Sequence, residues 1–148
     1  MLSVKTIHIP LLFLFVINTY SEVMAKENIL EGKLKISGPE VVEGKYNADK
    51  RSKASIMRNI ILNMSSMRQY YNLRLNEKGA FEGKIKVQFS INYNGDVYNS
   101  KVYNSTLNDS SLEAFVVNKI AELKYDKISK KKKDITVIYP FIFELKND

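Results

Sequence analysis

Apolar and polar residues alternate most regularly over Gly83 to Val97, GKIKVQFSINYNGDV, where Ile85, Val87, Phe89, Ile91 and Tyr93 are separated by polar neighbours. A period of two puts these five side chains on one face of a β-strand. The Asn94-Gly95 pair that follows predicts a type I′ turn, whose two central residues both need positive φ. The pattern is a hairpin, with its second strand over about Val97 to Asn104. In that strand Val97, Tyr98, Val102 and Tyr103 fall on both faces, which predicts either a bulge or a strand covered on both sides.

The period changes on either side of the hairpin. Over Ala54 to Leu75 the residues Ile56, Ile60, Met64, Met67 and Tyr71 recur at steps of three and four, so they share one face of an amphipathic helix. Their Met and Tyr side chains suit a core, and nothing beside them suggests a cofactor. A second helix starts after Asn108, either with Asp109 as its cap or with Ser110 and Glu113 as a capping box, and carries Leu112, Val116, Ile120 and Leu123 on one face. The last element, ITVIYPFIFEL from Ile135 to Leu145, is apolar at nearly every position and reads as a third strand. Pro140 lacks the N–H that a ladder needs, which predicts an edge position. The order helix, strand, strand, helix, strand gives an α+β domain over 54–148, with a three-stranded antiparallel sheet packed on two helices.

Residues 26–53 are polar and charged, and Gly32, Gly38, Pro39 and Gly44 interrupt each short apolar run. They read as a leader or linker with room for one short strand at Lys33 to Ser37. The first 25 residues differ again: a short head with Lys5, an apolar run from Ile7 to Ile17, then Val23-Met24-Ala25 in the small-residue pattern of a signal-peptidase site. Asn18, Thr19, Ser21 and Glu22 end the run well short of the about 20 apolar residues that a spanning helix needs. The expectation is therefore a signal peptide cleaved after Ala25, no transmembrane segment in the mature chain, and a periplasmic or otherwise exported protein.

Composition narrows the chemistry. The chain has 148 residues, one histidine, no cysteine and a net charge of +7. His8 lies in the segment expected to be removed, so the mature chain lacks the usual general base near neutral pH. Without His, Cys, a Gly-rich phosphate loop or a carboxylate pair at metal-ligand spacing, no catalytic constellation forms. Glu82, Asp96 and Glu113 read as strand-end, turn and cap residues. Neither a cofactor nor a metal is expected, and the reading is a non-catalytic protein.

The element order and the spelling of its parts resemble the carboxy-terminal domain of TonB-like proteins, most closely the AgmX/PglI C-terminal domain of gliding-motility proteins. The resemblance spans about Ser55 to Phe143. It rests on Tyr71 and Leu75, then Gly83, Ile85, Val87, Phe89 and Ile91, then Gly95 and Val97, then Ser105, Thr106 and Leu107, and last Tyr139, Pro140, Phe141 and Phe143. Two family cysteines would fall at Tyr70 and Phe115, so the disulfide that the resemblance implies is replaced by two aromatic residues expected to meet. The family's Trp-x-Phe-Pro falls at Leu123-Lys124-Tyr125-Asp126, which does not match it. With three prolines and a short leader, the chain has no long proline-rich spacer, and energy transduction is not expected.

The resemblance implies an envelope module that takes an extended peptide onto a sheet edge. That places Ile135, Val137, Tyr139 and Phe141 of the last strand at the peptide site, unless residues 30–37 already cover this edge. The rival is an anionic polymer such as lipopolysaccharide or peptidoglycan, held by the loop of Lys130, Lys131, Lys132 and Lys133 together with Lys124 and Lys127. The expected partner is thus an envelope protein, peptide or anionic polymer, and nucleic acid is not expected of an exported chain.

Overall fold

The computed structural model describes residues 29–47 and 50–146. The expected signal segment, with Ala25 and His8, lies outside the described residues. In chain order the elements are β1 (Gly32–Ile36), β2 (Glu40–Glu43), α1 (Lys53–Lys78), β3 (Gly83–Ile91), β4 (Val97–Ser105), α2 (Ser110–Ala121) and β5 (Ile135–Leu145). The architecture is α+β, with two helices and one antiparallel sheet. The sheet has five strands where three were expected. β5 sits inside it, between β3 on one side and β1 and β2 on the other, and β4 lies beyond β3.

The two ladders on β5 follow from its composition. Ile85 lies opposite Phe141, Val87 opposite Tyr139, Phe89 opposite Val137 and Ile91 opposite Ile135, and all eight side chains are buried. Each such aromatic or β-branched pair contributes roughly 0.2–1 kcal/mol. On the other side, Leu34 pairs with Phe143 and Ile36 with Phe141, while Val41 of β2 pairs with Val137. The stretch that looked like linker therefore supplies two strands. β1 overlaps the short strand expected at Lys33 to Ser37, with Lys33 and Lys35 exposed and Leu34 and Ile36 half-buried, whereas β2, a four-residue strand with only Val41 turned inward, was not expected. Pro140 does not mark an edge. β1 ends opposite Phe141 and β2 begins opposite Ile138, so the chain bows out through Ser37-Gly38-Pro39 past the position that cannot donate.

Both helices cover the same face of the sheet. α1 buries Ile56, Ile60, Met67, Tyr71 and Leu75, with Met64 half-buried at the margin, and α2 buries Leu112, Val116 and Ile120. Ser52 caps α1 by accepting the Ser55 N–H at 3.1 Å. β1 begins directly beneath this helix: a Cβ on Gly32 would stand 2.2 Å from Tyr71 Cε1, and the Gly32 N–H donates to Asn72 Oδ1 at 2.8 Å. Among the described residues no helix is long and apolar enough to cross a membrane.

The hairpin turn differs from the type I′ expectation. Gly95 has φ 90°, but Asn94 is not in the positive-φ region. The Gly95 N–H donates to the Asn92 carbonyl at 3.0 Å, and the Asn92 N–H to the Asp96 carbonyl at 3.1 Å. This is a type I turn closed by a left-handed glycine. The chain after α2 crosses above it: the Tyr125 N–H donates to the Gly95 carbonyl at 2.9 Å, and a Cβ at Gly95 would lie 1.8 Å from the Tyr125 oxygen. Further on, β4 carries two register shifts against β3, with Asn99 at φ 53°. The poor alternation of that strand is thus a matter of bulges.

Of the two cap readings, Asp109 is the cap of α2 and accepts the Leu112 N–H at 2.8 Å. Its carboxylate is 2% exposed and also receives Arg74 Nη2 at 3.0 Å and Lys78 Nζ at 3.4 Å. Burial alone would raise its pKa, but the hydrogen bonds from Arg74, the Leu112 N–H and Lys78 hold it below the ordinary carboxylate value. One carboxylate thereby ties the last turns of α1 to the first turn of α2. Nearby, the Tyr70 and Phe115 rings stack in parallel with centroids 4.1 Å apart, and both are half-buried. These aromatics meet between the helices, as expected.

Two stability predictions follow from these contacts. Because Asp109 is depressed in the folded state, its stabilisation is complete above an unfolded value of about 3.9 and is lost as pH falls through the lower folded value. Asp109→Ala should cost about 2–4 kcal/mol at neutral pH, combining a lost cap with lost charge-assisted bonds. Urea denaturation from pH 7 to pH 2.5 should find the variant's deficit shrinking with acid. A deficit independent of pH would mean that the carboxylate charge contributes nothing. For the stacked pair, half-burial lowers the expected cost of Phe115→Ala to about 2 kcal/mol, below the range of a fully buried ring. A double-mutant cycle with Tyr70→Ala should give a coupling of about 1 kcal/mol, and zero coupling would show that the stack carries no energy.

Candidate anion-binding cleft

β2 ends at Gly44, whose φ of 84° turns the chain over the start of β5. A Cβ there would meet the Asp134 carbonyl at 2.5 Å. Tyr46 then anchors the segment by donating its hydroxyl to the Pro39 carbonyl at 2.8 Å, and the Asn47 N–H donates to the Arg51 carbonyl at 3.0 Å. From the other direction, the loop before β5 is tied to the hairpin by the Ile128 N–H on the Tyr93 carbonyl at 2.9 Å. It then turns through Ser129, whose carbonyl accepts the Lys132 N–H at 3.0 Å. Between these two segments opens a cleft of about 820 Å³.

Charge in the cleft is unbalanced. Lys45, Arg51, Lys132 and Lys133 line it against Glu43 and Asp134, and Asp134 also accepts the Tyr98 hydroxyl at 2.6 Å. Arg51 is the unusual member because its side chain is only 1% exposed. It has no ion-pair partner among the described residues. Nη1 donates to the Lys50 carbonyl at 3.0 Å and Nη2 to the Asn92 carbonyl at 3.1 Å, the guanidinium carbon stands 5.6 Å from the Tyr125 ring centre, and Nε has no partner. Burial lowers the Arg51 pKa, with Tyr125 and Asp126 opposing, but a guanidinium stays protonated in any case. The buried cation is thus held by carbonyls and a ring face, with the Asp126 carboxylate giving electrostatic support without an ion pair.

The sequence-derived site residues divide sharply. Lys130, Lys131, Lys132 and Lys133 are all exposed on one loop, and Lys132 and Lys133 form the cleft rim. The Lys130 ammonium stands 5.4 Å from the Tyr93 ring centre instead. Lys124 is taken by an ion pair with Asp96 in the hairpin. Ile135, Val137, Tyr139 and Phe141 are placed otherwise than expected: their side chains are buried under the helices, and β5 is paired on both sides. The Tyr139 hydroxyl is buried without a partner, and burial pushes its pKa up to about 12. Lys45 escaped notice as an isolated basic residue in a polar stretch, and Arg51 because nothing sets it apart from Lys50 and Lys53 beside it. Only the fold closes the start of α1 over Asn92 and Tyr125. Among the described residues no group of three or more His, Cys, Asp or Glu could hold a metal ion.

No family model, curated protein or solved structure matches this chain.

Proposed function

We propose that this protein is an exported, non-catalytic binding module of the cell envelope that holds an anionic polymer in the cleft rimmed by its lysine loop. The observation that carries this reading is the buried, unpaired Arg51 guanidinium in a cleft lined by four cations and two carboxylates. The exposed lysines at the rim attract an anion over a distance, and the buried Arg51 charge adds to the positive field behind them. The resemblance to TonB-like domains supports the envelope setting, as does the apolar leader ending at Ala25. Partner-strand capture at β5 is disfavoured because both sides of that strand are occupied. Among the described residues the outer side of β4 carries no strand, but its two bulges break up the row of donors and acceptors that an added strand requires.

The test is a titration of the mature protein with inorganic polyphosphate, followed by calorimetry at low and high salt. At about 1 kcal/mol per lysine near an anionic surface, Lys132→Ala combined with Lys133→Ala should weaken low-salt binding about thirtyfold. Lys130→Ala, whose ammonium sits on Tyr93, should do much less, and high salt should compress the difference. Equal losses from all lysine substitutions would indicate a diffuse charge effect and count against the cleft.

A further inference from the structure

The open face of the sheet, opposite the helices, holds a second depression of about 360 Å³ next to the cleft. The two share Glu43 and Thr136 in their walls. The second is lined entirely by polar residues: besides these two, Gln88, Ser90, Asn99, Ser100 and Lys101. The Ser90 and Thr136 hydroxyls bond each other at 2.8 Å. Ser100 Oγ is buried with no partner. The β4 bulge between the Gln88–Lys101 and Ser90–Tyr98 pairs inserts the extra residue here, and Asn99 takes φ 53°, a conformation that costs energy for a residue with a side chain. Tyr98 stands at the junction, lining the cleft from its place opposite Ser90, and is 38% exposed.

From this arrangement we infer that the ligand is an acidic polysaccharide lying across both depressions. One anionic group would sit on Lys132 and Lys133, in the field of the buried Arg51, and the hydroxyls of the following sugars on Gln88, Asn99 and Glu43. The inference rests on the polyanion reading and adds the class of polymer. Hydroxyl groups both donate and accept, so they match amides, hydroxyls and a carboxylate together. A phosphate chain offers only acceptors and would be repelled by Glu43. An acidic peptide presents side-chain carboxylates, which are acceptors only and would likewise approach Glu43 unfavourably. The Tyr98 ring gives a sugar face a surface to pack on at the point where the two depressions join. The bulge at Asn99 turns polar side chains of β4 toward the second depression.

The experiment compares galacturonate oligomers, inorganic polyphosphate of equal charge and poly-glutamate as ligands for the mature protein by calorimetry. It uses the unchanged chain and the pair Gln88→Ala with Asn99→Gly. Glycine keeps the positive φ at position 99 while removing the amide, and matching amide NMR spectra would establish that the fold is retained. The expected result is tighter binding of the galacturonate oligomers than of either other polymer, and a loss of about tenfold in the double variant that polyphosphate does not share. Equal affinity for galacturonate and polyphosphate, or equal losses for both in the variant, would overturn the polysaccharide inference and leave the polyanion reading standing. Poly-glutamate binding as tightly as galacturonate would overturn it in favour of an acidic protein partner. Failure of all three polymers to bind would remove the polyanion reading itself.

Discussion

Everything in this fold depends on β5 being zipped from both sides. Its inward residues, Ile135, Val137, Tyr139, Phe141 and Phe143, form the floor on which both helices rest, and its backbone is satisfied by β3 along its length and by β1 and β2 on the other side. A strand this apolar with one bare side would present a long row of unpaired donors and acceptors, the condition that invites aggregation. Covering it with the chain's own polar leader removes that hazard. The proline is accommodated by a break between two short partner strands.

The same closure creates the cleft. Because β2 must run alongside the start of β5, the chain leaving β2 is forced to cross back toward α1, and the loop entering β5 is forced to pass beside it. Neither segment has enough apolar residues to pack against the other, and the space between them stays open and charged. Arg51 sits where three constraints meet: the start of α1, the hairpin carbonyl of Asn92 and the ring of Tyr125. The guanidinium is thereby fixed in place. The two carboxylates in the cleft, Glu43 and Asp134, face the same space as Lys45, Lys132 and Lys133.

The helices are joined in a way that does not use the core. Asp109 connects the end of α1 to the start of α2 through Arg74 and Lys78, and Tyr70 stacks on Phe115. Both contacts lie at the margin of the buried cluster, where a directional interaction fixes the angle between helices that hydrophobic packing leaves loosely defined. The second helix carries β4 and the Tyr125 segment with it, so this alignment extends to the hairpin turn at Gly95 and from there to the wall of the cleft.

The sequence by itself determined the elements whose burial is periodic: both helices, the β3 strand, the hairpin and the apolar last strand, while it left β4 as either bulged or covered on both sides. The meeting of Tyr70 and Phe115 came from the family resemblance, and the lysine loop was visible as a run of charge. Tertiary structure decided the rest. The short strand expected at Lys33 to Ser37 appears as β1, but its pairing with β5, and the whole of β2, depend on Phe143, Phe141 and Val137 far along the chain. The turn at Asn94-Gly95 took a different type, starting at Asn92 with Gly95 as its last residue, and Tyr125 crosses above that glycine. Arg51 carries no local mark of burial, since a guanidinium is desolvated only by what the fold places around it. Local periodicity records which residues a segment would bury, whereas strand pairing and an enclosed charge depend on distant parts of the chain, and no window along the sequence contains them.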